Sequence, residues 1–375
     1  MRSIWTMSRS CKFVRRWCPV AGCLCLLLLA LPVSAESKFH DPLDTPAEMR
    51  SNVTKRPLMA LTKAGERIVA VGSRGLIIGS DDHGKTWTQA QVPVQSDLLA
   101  VHFPTANEGW AVGHEGVVLH SADGGKTWTK QLDGRMSGKS FKAFYGKSAA
   151  SAEDSSAMQA HAVQLELNYK AGPALPFLDV WFEDAQKGYV VGSFGMIAAT
   201  TDGGKSWEPW LHRIDNSLYL NLNVIRVIGS DVFIVGERGL IYRLDRGRER
   251  FDKIDTGFIG SFFGITGNSQ ALIAYGLEGA AYRSGNMGKS WEALGMPSNQ
   301  TLAAGIPLSD GEGFVLVDAA GQFLLSDKSG KNFRVQRADK PMRMTGIVSV
   351  APRTVLVTGL GGVRSETLRD IAAGH

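Results

Sequence analysis

The sequence predicts an all-β protein, a seven-bladed β-propeller of four-stranded antiparallel blades whose ring is closed by its N- and C-terminal segments. Two recurring turns and one spacing carry that prediction. The first turn is Ser121-Ala-Asp-Gly-Gly-Lys-Thr-Trp128, repeated as Ser80-Asp-Asp-His-Gly-Lys-Thr-Trp87 and Thr200-Thr-Asp-Gly-Gly-Lys-Ser-Trp207, with weaker copies at 284–291 and 326–333. Its Asp or Asn oxygen accepts N–H bonds within the turn, and glycine takes the positive φ that other residues avoid. The Trp then re-enters a strand and buries its ring against the next unit.

The second turn is Gly-x-x-Gly at the end of an apolar run. It occurs at Gly72–Gly75, Gly113–Gly116, Gly192–Gly195, Gly236–Gly239, Gly276–Gly279 and Gly359–Gly362, and Asp318–Gly321 is a copy without its first glycine. Successive second glycines lie 41, 79, 44, 40, 42 and 41 residues apart. The value of 79 is one repeat plus an insertion of about 38 residues, so seven repeats of the length of a four-stranded blade are present.

Residues 1–35 read as a secretory signal peptide. Arg2, Arg9, Lys12, Arg15 and Arg16 precede an apolar run from Cys23 to Leu31, and Val33-Ser-Ala35 is a small-residue cleavage site. The run is too short for a stable membrane span. Val20-Ala-Gly-Cys23 precedes the run, where a lipoprotein box would end it, and the residues after Arg15-Arg16 do not fit a twin-arginine signal, so Sec export is expected. The formal charge of +5 belongs to this leader, leaving residues 36–375 near neutrality and without a global-charge argument for nucleic acid. All four cysteines also lie in the leader, so the remainder has no disulfide, zinc knuckle or thiol nucleophile.

The propeller domain is expected over residues 36–375. Residues 36–56 are polar and show no full repeat. Blade 1 begins at Leu58, and blade 2, from Leu98 to Lys130, is the cleanest copy. Between blades 2 and 3 lies the insertion, about 134–171, where Met158, Ala162, Leu165 and Tyr169 have helical spacing over about 155–169, with a flexible loop as the alternative. Its deletion is expected to leave the flanking blades folded. A connector, 208–221, follows blade 3. Blade 4 keeps only an aromatic, Phe251, of the aspartate turn, and blade 7 runs out after Ser365 before a fourth strand. The segment around Lys38–Thr54 is the expected donor of that strand, which would cover an open sheet edge.

Gly79-Ser-Asp-Asp-His-Gly84-Lys85-Thr86 matches the phosphate-loop pattern, but a strand and not a helix follows it, so nucleotide binding is rejected. The turn acids Asp82, Asp123 and Asp202 recur blade by blade, as do Trp87, Trp128, Trp207 and Trp291, which suits a structural role and not one catalytic centre. No calcium-loop pattern is present and the eight histidines form no close pair, so no metal and no cofactor are expected. In an antiparallel blade alternate turns alternate faces. The Gly-x-x-Gly residues Arg74, His114, Glu115, Phe194, Glu237, Arg238 and Glu278 therefore share one face with the insertion and the connector, and are the candidate partner-binding residues. The competing reading of that rim is a solvated, charge-mixed surface.

The aspartate turn resembles the Asp box of BNR-type repeats. Combined with Gly109-Trp-Ala-Val-Gly113-x-x-Gly116, it makes the whole mature chain similar to the photosystem II assembly/stability factor family and its exported bacterial relatives. The resemblance implies a non-catalytic scaffold, exported to the periplasm or an equivalent lumenal space and able to lie peripheral to the membrane. Its implied partner is a membrane-protein complex or an assembly intermediate, and a monomer is expected. The insertion and the eroded fourth turn depart from the family pattern. The alternative is a secreted BNR-type glycosidase or sialidase-like hydrolase, or a glycan- or small-ligand-binding propeller. Against a sialidase, Arg213-Ile214 is followed by Asp215 and not by the proline of the family's arginine motif. Other glycosidases need two facing carboxylates, which sequence cannot pair among Glu115, Glu237 and Glu278.

Overall fold

Short apolar runs cut by turn residues fold here as seven radial meanders. The computed structural model describes residues 40–151 and 155–369; the expected leader lies outside the described residues. Blade 1 comprises Leu58–Ala64, Arg67–Gly72, Ile77–Ser80 and Thr88–Gln89, and blade 2 comprises Leu98–His102, Gly109–Gly113, Val118–Ser121 and Thr129–Leu132. Blade 3 is Phe177–Phe182, Gly188–Gly192, Ile197–Thr200 and Glu208–Pro209; blade 4 is Leu222–Ile228, Asp231–Gly236, Ile241–Asp245 and Arg250–Ile254. Blade 5 is Phe262–Gly267, Leu272–Gly276, Ala281–Ser284 and Glu292–Ala293; blade 6 is Leu302–Pro307, Phe314–Asp318, Gln322–Ser326 and Phe333–Arg337. Blade 7 is Met344–Ala351, Thr354–Gly359 and Gly362–Thr367. All pairings within blades are antiparallel.

The second strand of each blade is covered on both sheet faces by neighbouring blades. Every residue of Gly109–Gly113, Gly188–Gly192, Leu272–Gly276 and Phe314–Asp318 is accordingly buried. This is why these strands read as continuous apolar runs without alternation. The first strands of all seven blades line a central channel.

The aspartate turns repeat one bonding scheme. In blade 2, Asp123 Oδ1 accepts the N–H groups of Lys126 (2.9 Å) and Thr127 (3.0 Å), while Oδ2 accepts the Thr127 hydroxyl (2.6 Å). Ser121 Oγ donates to Asp123 and accepts the Gly125 N–H, and the Trp128 indole donates to Gly125 O. Asp82 and Asp202 do the same in blades 1 and 3. Asn286 substitutes in blade 5, accepting the Ser290 N–H through Oδ1 and donating through Nδ2 to its hydroxyl. In blade 6 the acid has moved one place: Asp327 accepts bonds from Ser329, Lys331 and Asn332. The position before the turn glycine has positive φ at His83 and Met287, as at Gly124 and Gly203.

These bonds set the acid response. The Thr86 hydroxyl and N–H hold the Asp82 carboxyl well below the ordinary range. At Asp123 partial burial pushes upward, but bonds from Thr127 and Ser121 outweigh it, and the balance is the same at Asp202. A depressed native pKa stabilises the fold above the unfolded value of about 4, and that contribution is lost as pH falls through the native value. Asp123→Ala, which removes the acceptor of four bonds, is expected to lower unfolding free energy by about 1–2 kcal/mol at pH 7. Asp123→Asn, copying blade 5, should cost less and should weaken the loss of stability below about pH 4. Urea titrations from pH 7 down to pH 3 check both.

Ring closure differs from the expected borrowed strand. Among the described residues blade 7 has three strands, and the N-terminal segment runs elsewhere: Ala47 N donates to Val92 O (2.9 Å) and Gln95 N to Pro42 O (2.7 Å), along the outside of blade 1. The termini nonetheless close the ring. In blade 1 the second turn glycine, Gly75, abuts Val94 O in the link to the next blade, and in blade 7 Gly362 abuts Thr54 O. Residues 53–57 thus serve as the link from blade 7 to blade 1. The Thr345 hydroxyl donates to Leu58 O (2.8 Å), as the Asn223 amide does to Phe262 O (2.8 Å) between blades 4 and 5.

The missing fourth strand also leaves no hole in the core. Trp128 of blade 2 packs against second-strand residues of blade 1 such as Val69 and Val71; Leu368, just beyond the last strand, packs equivalently against Val315 and Val317 of blade 6. Its N–H is bonded to Arg353 O (2.7 Å), which turns the chain inward at that point. Leu368→Ala is expected to lower stability by about 2–4 kcal/mol through transfer and cavity terms, read as a lower urea midpoint at unchanged slope.

Candidate docking face

Close backbone approach shapes the Gly-x-x-Gly turns. A Cβ on Gly72 would lie 2.2 Å from Pro57 O, just before the first strand of the same blade, and one on Gly276 would lie 1.9 Å from Ser261 O. In five of the seven turns the residue before the second glycine is left-handed: Arg74 (φ 56°), Glu115 (54°), Phe194 (53°), Arg238 (52°) and Glu278 (54°). This conformation lifts the side chain off the sheet at the cost of some strain. In blade 6 Asp318 replaces the first glycine and is fully buried, accepting the N–H groups of Ala320 and Gln322 and the Ser298 hydroxyl.

The predicted residues share one face but do not converge. Arg74, His114, Phe194, Arg238 and Glu278 are exposed there, spread around the ring. The other two are partly covered. Glu237 accepts the Asn221 N–H (2.9 Å) and side-chain amide (3.2 Å), tying the connector to blade 4. Glu115 is partly covered, and its Oε2 is buried without a hydrogen-bond partner.

The insertion is a helical hairpin. Helix α2, Ser155–Tyr169, matches the helical spacing, whereas α1, Gly134–Ser151, went unread because three glycines interrupt its sequence. Its signals were Asp133, whose carboxylate caps the helix by accepting the N–H groups of Arg135 (2.9 Å) and Met136 (3.0 Å), and the spacing of Ser137, Phe141 and Tyr145, all fully buried. Gly138 lets the Tyr169 ring lie against α1. The hairpin is seated on blades 2 and 3: Phe141, Tyr145 and Leu165 join one core cluster with Val118, Leu132, Val190 and Met196. Deleting 134–171 would expose that cluster, so the expectation that deletion leaves the blades intact is withdrawn on packing grounds.

Polar contacts fix the hairpin to the connector. The Tyr145 hydroxyl donates to Pro209 O (3.1 Å) and lies 2.9 Å from His212 Nδ1, and His161 Nδ1 lies 3.2 Å from the Tyr219 hydroxyl. Burial pushes His161 down and His212 down to about 4, with Arg213 adding to the latter, so both imidazoles are neutral at pH 7.

Sequence reading also missed the apolar tips. Of the eleven large apolar side chains exposed among the described residues, eight (Met136, Val163, Leu167, Phe194, Leu218, Ile259, Leu277 and Leu360) lie in the hairpin or loops of this face. A cleft of about 750 Å³ opens beside Glu278, lined by Pro297, Ser298, Asn299 and Gln322. Among the described residues no group of three or more metal-ligating side chains occurs, and no helix is long and apolar enough to cross a membrane.

A sequence profile described as "Photosynthesis system II assembly factor YCF48" matches residues 57–159 and 152–345. The "Photosystem II assembly lipoprotein Ycf48" of Synechococcus sp. (strain CC9902) is 30% identical over 192 residues, which is 49% of this chain and 55% of the relative. The match thus spans about half of that relative's length. The solved structure "YCF48 bound to D1 peptide" superposes with a TM-score of 0.61 at 15% identity, covering 87% of this chain and 100% of that one. "YCF48 from Cyanidioschyzon merolae" gives 0.60 at 15% identity, with 86% and 98% covered. The WD40 propeller domain of Doa1 gives 0.57 at 9% identity, with 86% and 96% covered. At these identities the structural likeness bears on the fold alone. The profile, however, runs from the first strand of blade 1 to the first strand of blade 7, well over half of the sequence, and the chain belongs to the photosystem II assembly factor YCF48 family.

Proposed function

We propose that this protein is a non-catalytic scaffold that docks, through its Gly-x-x-Gly face, onto an exported-side segment of a membrane-protein complex during assembly. The observation that carries this reading is the crowding of exposed apolar side chains onto that one face, with Ile259 (89%) and Leu218 (63%) the most open among them. Exposed apolar groups within a polar rim are what a protein-binding surface presents. Family membership supports the role, and one relative is titled as binding a D1 peptide. A periplasmic or lumenal setting at the membrane surface, a monomeric state and the absence of catalysis belong to the same proposal.

The test uses surface changes that the fold tolerates. Glu115 and Glu278 already occupy the left-handed turn position, so Phe194→Glu, Arg74→Glu and Arg238→Glu carry a residue type proven there. Tagged protein cross-linked in intact cells is expected to recover one membrane-protein complex. Phe194→Glu with Leu218→Glu should lower that recovery at least tenfold and shift stability by less than about 0.5 kcal/mol. Arg74→Glu with Arg238→Glu should lower it further, while Lys126→Glu on the opposite face should not. Recovery lost with Lys126→Glu but kept in the other variants would place the interface elsewhere.

A further inference from the structure

The channel carries one feature that neither the propeller ring nor the docking face requires. Its cavity, about 390 Å³, is walled by the first strands, mostly with small or apolar side chains, and Asp179 and Arg226 are the only carboxylate and guanidinium among the lining residues. The register of each first strand against its second places Ala60, Ala100, Asp179, Val224, Gly264, Ala304 and Gly346 at one level, a single carboxylate among small residues. Asp179 is fully enclosed, accepts the Ile225 N–H (2.8 Å) and pairs with Arg226.

The guanidinium is held on one side and open on the other. Arg226 Nη1 donates to Asp179 Oδ2 and to Ile225 O (2.7 Å), which fixes the head. The side chain is 48% exposed, and the remaining edge, Nε and Nη2, has no partner among the described residues. That edge is one of the two on which guanidinium accepts a carboxylate side-on. Tyr275, threaded past the glycines at 264 and 305, lines the same cavity. His102 donates to or accepts nothing charged there: its Nε2 faces Phe182 O (3.0 Å), and burial pushes it down to about 4, so it is neutral at pH 7.

The geometry points to a binding site in the channel for a small monocarboxylate with an apolar body, its carboxylate seated on the Nε–Nη2 edge of Arg226. Charge narrows the class. A cation would face the guanidinium, a phosphate dianion would add two negative charges beside Asp179, and a wholly apolar molecule would desolvate the open edge without replacing its water. The volume is in the range of small-ligand pockets. First strands run from the docking face toward the aspartate-turn face, so Arg226 lies toward the latter. A cleft of about 670 Å³ there shares His102, Trp181 and Val227 with the channel and gives an entrance. Occupancy is therefore independent of docking.

Calorimetric titration of the mature protein with octanoate, octanamide and octylammonium tests the site. Octanoate is expected to bind saturably at one site per chain, with octanamide and octylammonium at least tenfold weaker. Arg226→Lys keeps a cation beside Asp179 but removes the fork, and should weaken octanoate about tenfold. Ala304→Leu narrows the channel at the level of Asp179 and should abolish binding without touching the guanidinium; thermal melts of both variants establish that they are folded. Absence of saturable octanoate binding to the wild type, equal affinity for octanamide, or unchanged affinity in the folded variants would overturn the assignment.

Discussion

Six times in this chain a carbonyl oxygen just ahead of a blade's first strand sits where the Cβ of a turn residue would be, within 1.9–2.4 Å of it. Only glycine allows that approach, and much of the architecture follows from it. The approach pulls the start of the innermost strand against the end of the second strand, where the register slips by one residue in each blade. The second glycine then presses on the link to the neighbouring blade, so one turn sets both the inner end of its own sheet and the position of the next. The residue between is forced upward and left free in identity, which is why arginine, glutamate and phenylalanine all occur at it.

The aspartate turns tolerate more erosion, and the reason is chemical. Their task is to bond a few N–H and hydroxyl groups in an exposed hairpin and to anchor one aromatic ring between blades. Asn286 does the first with an amide, and Asp327 does it from a shifted position. In blade 4 Asp245 closes a different turn by accepting the N–H groups of Gly247 and Arg248, while Phe251 supplies the ring. In blade 7 Leu368 fills the interface without any hairpin. Apolar volume between blades is the invariant; the turn chemistry that delivers it varies.

The two faces differ as a result. One bears the hydrogen-bonded turns, whose groups are consumed locally. The other bears the links, the connector and a hairpin that buries one side in the core and shows Val163 and Leu167 to solvent. Between them the channel keeps a fixed guanidinium that neither face uses. A rigid ring presenting adaptable loops on one side suits recognition of a large partner, since little ordering of the scaffold accompanies binding.

Seven blades, the face shared by the Gly-x-x-Gly residues and the place of the insertion were legible in the sequence, because each rests on local spacing: a turn every 41 residues or so and strand alternation of turns. Local spacing could not say which chain segment meets the last blade. Residues 53–57 act there as a link and Leu368 as a core filler, neither carrying a repeat signature, since long-range packing alone assigns them. The same limit hid the pair at Asp179 and Arg226. Each stood as a lone charge in an apolar strand, Phe177–Phe182 and Leu222–Ile228, and only the packing of blade 3 against blade 4 brings the two strands side by side. Exposure was equally out of reach: whether Leu218 or Leu222 is buried depends on what the neighbouring blade covers, and that is decided by tertiary structure.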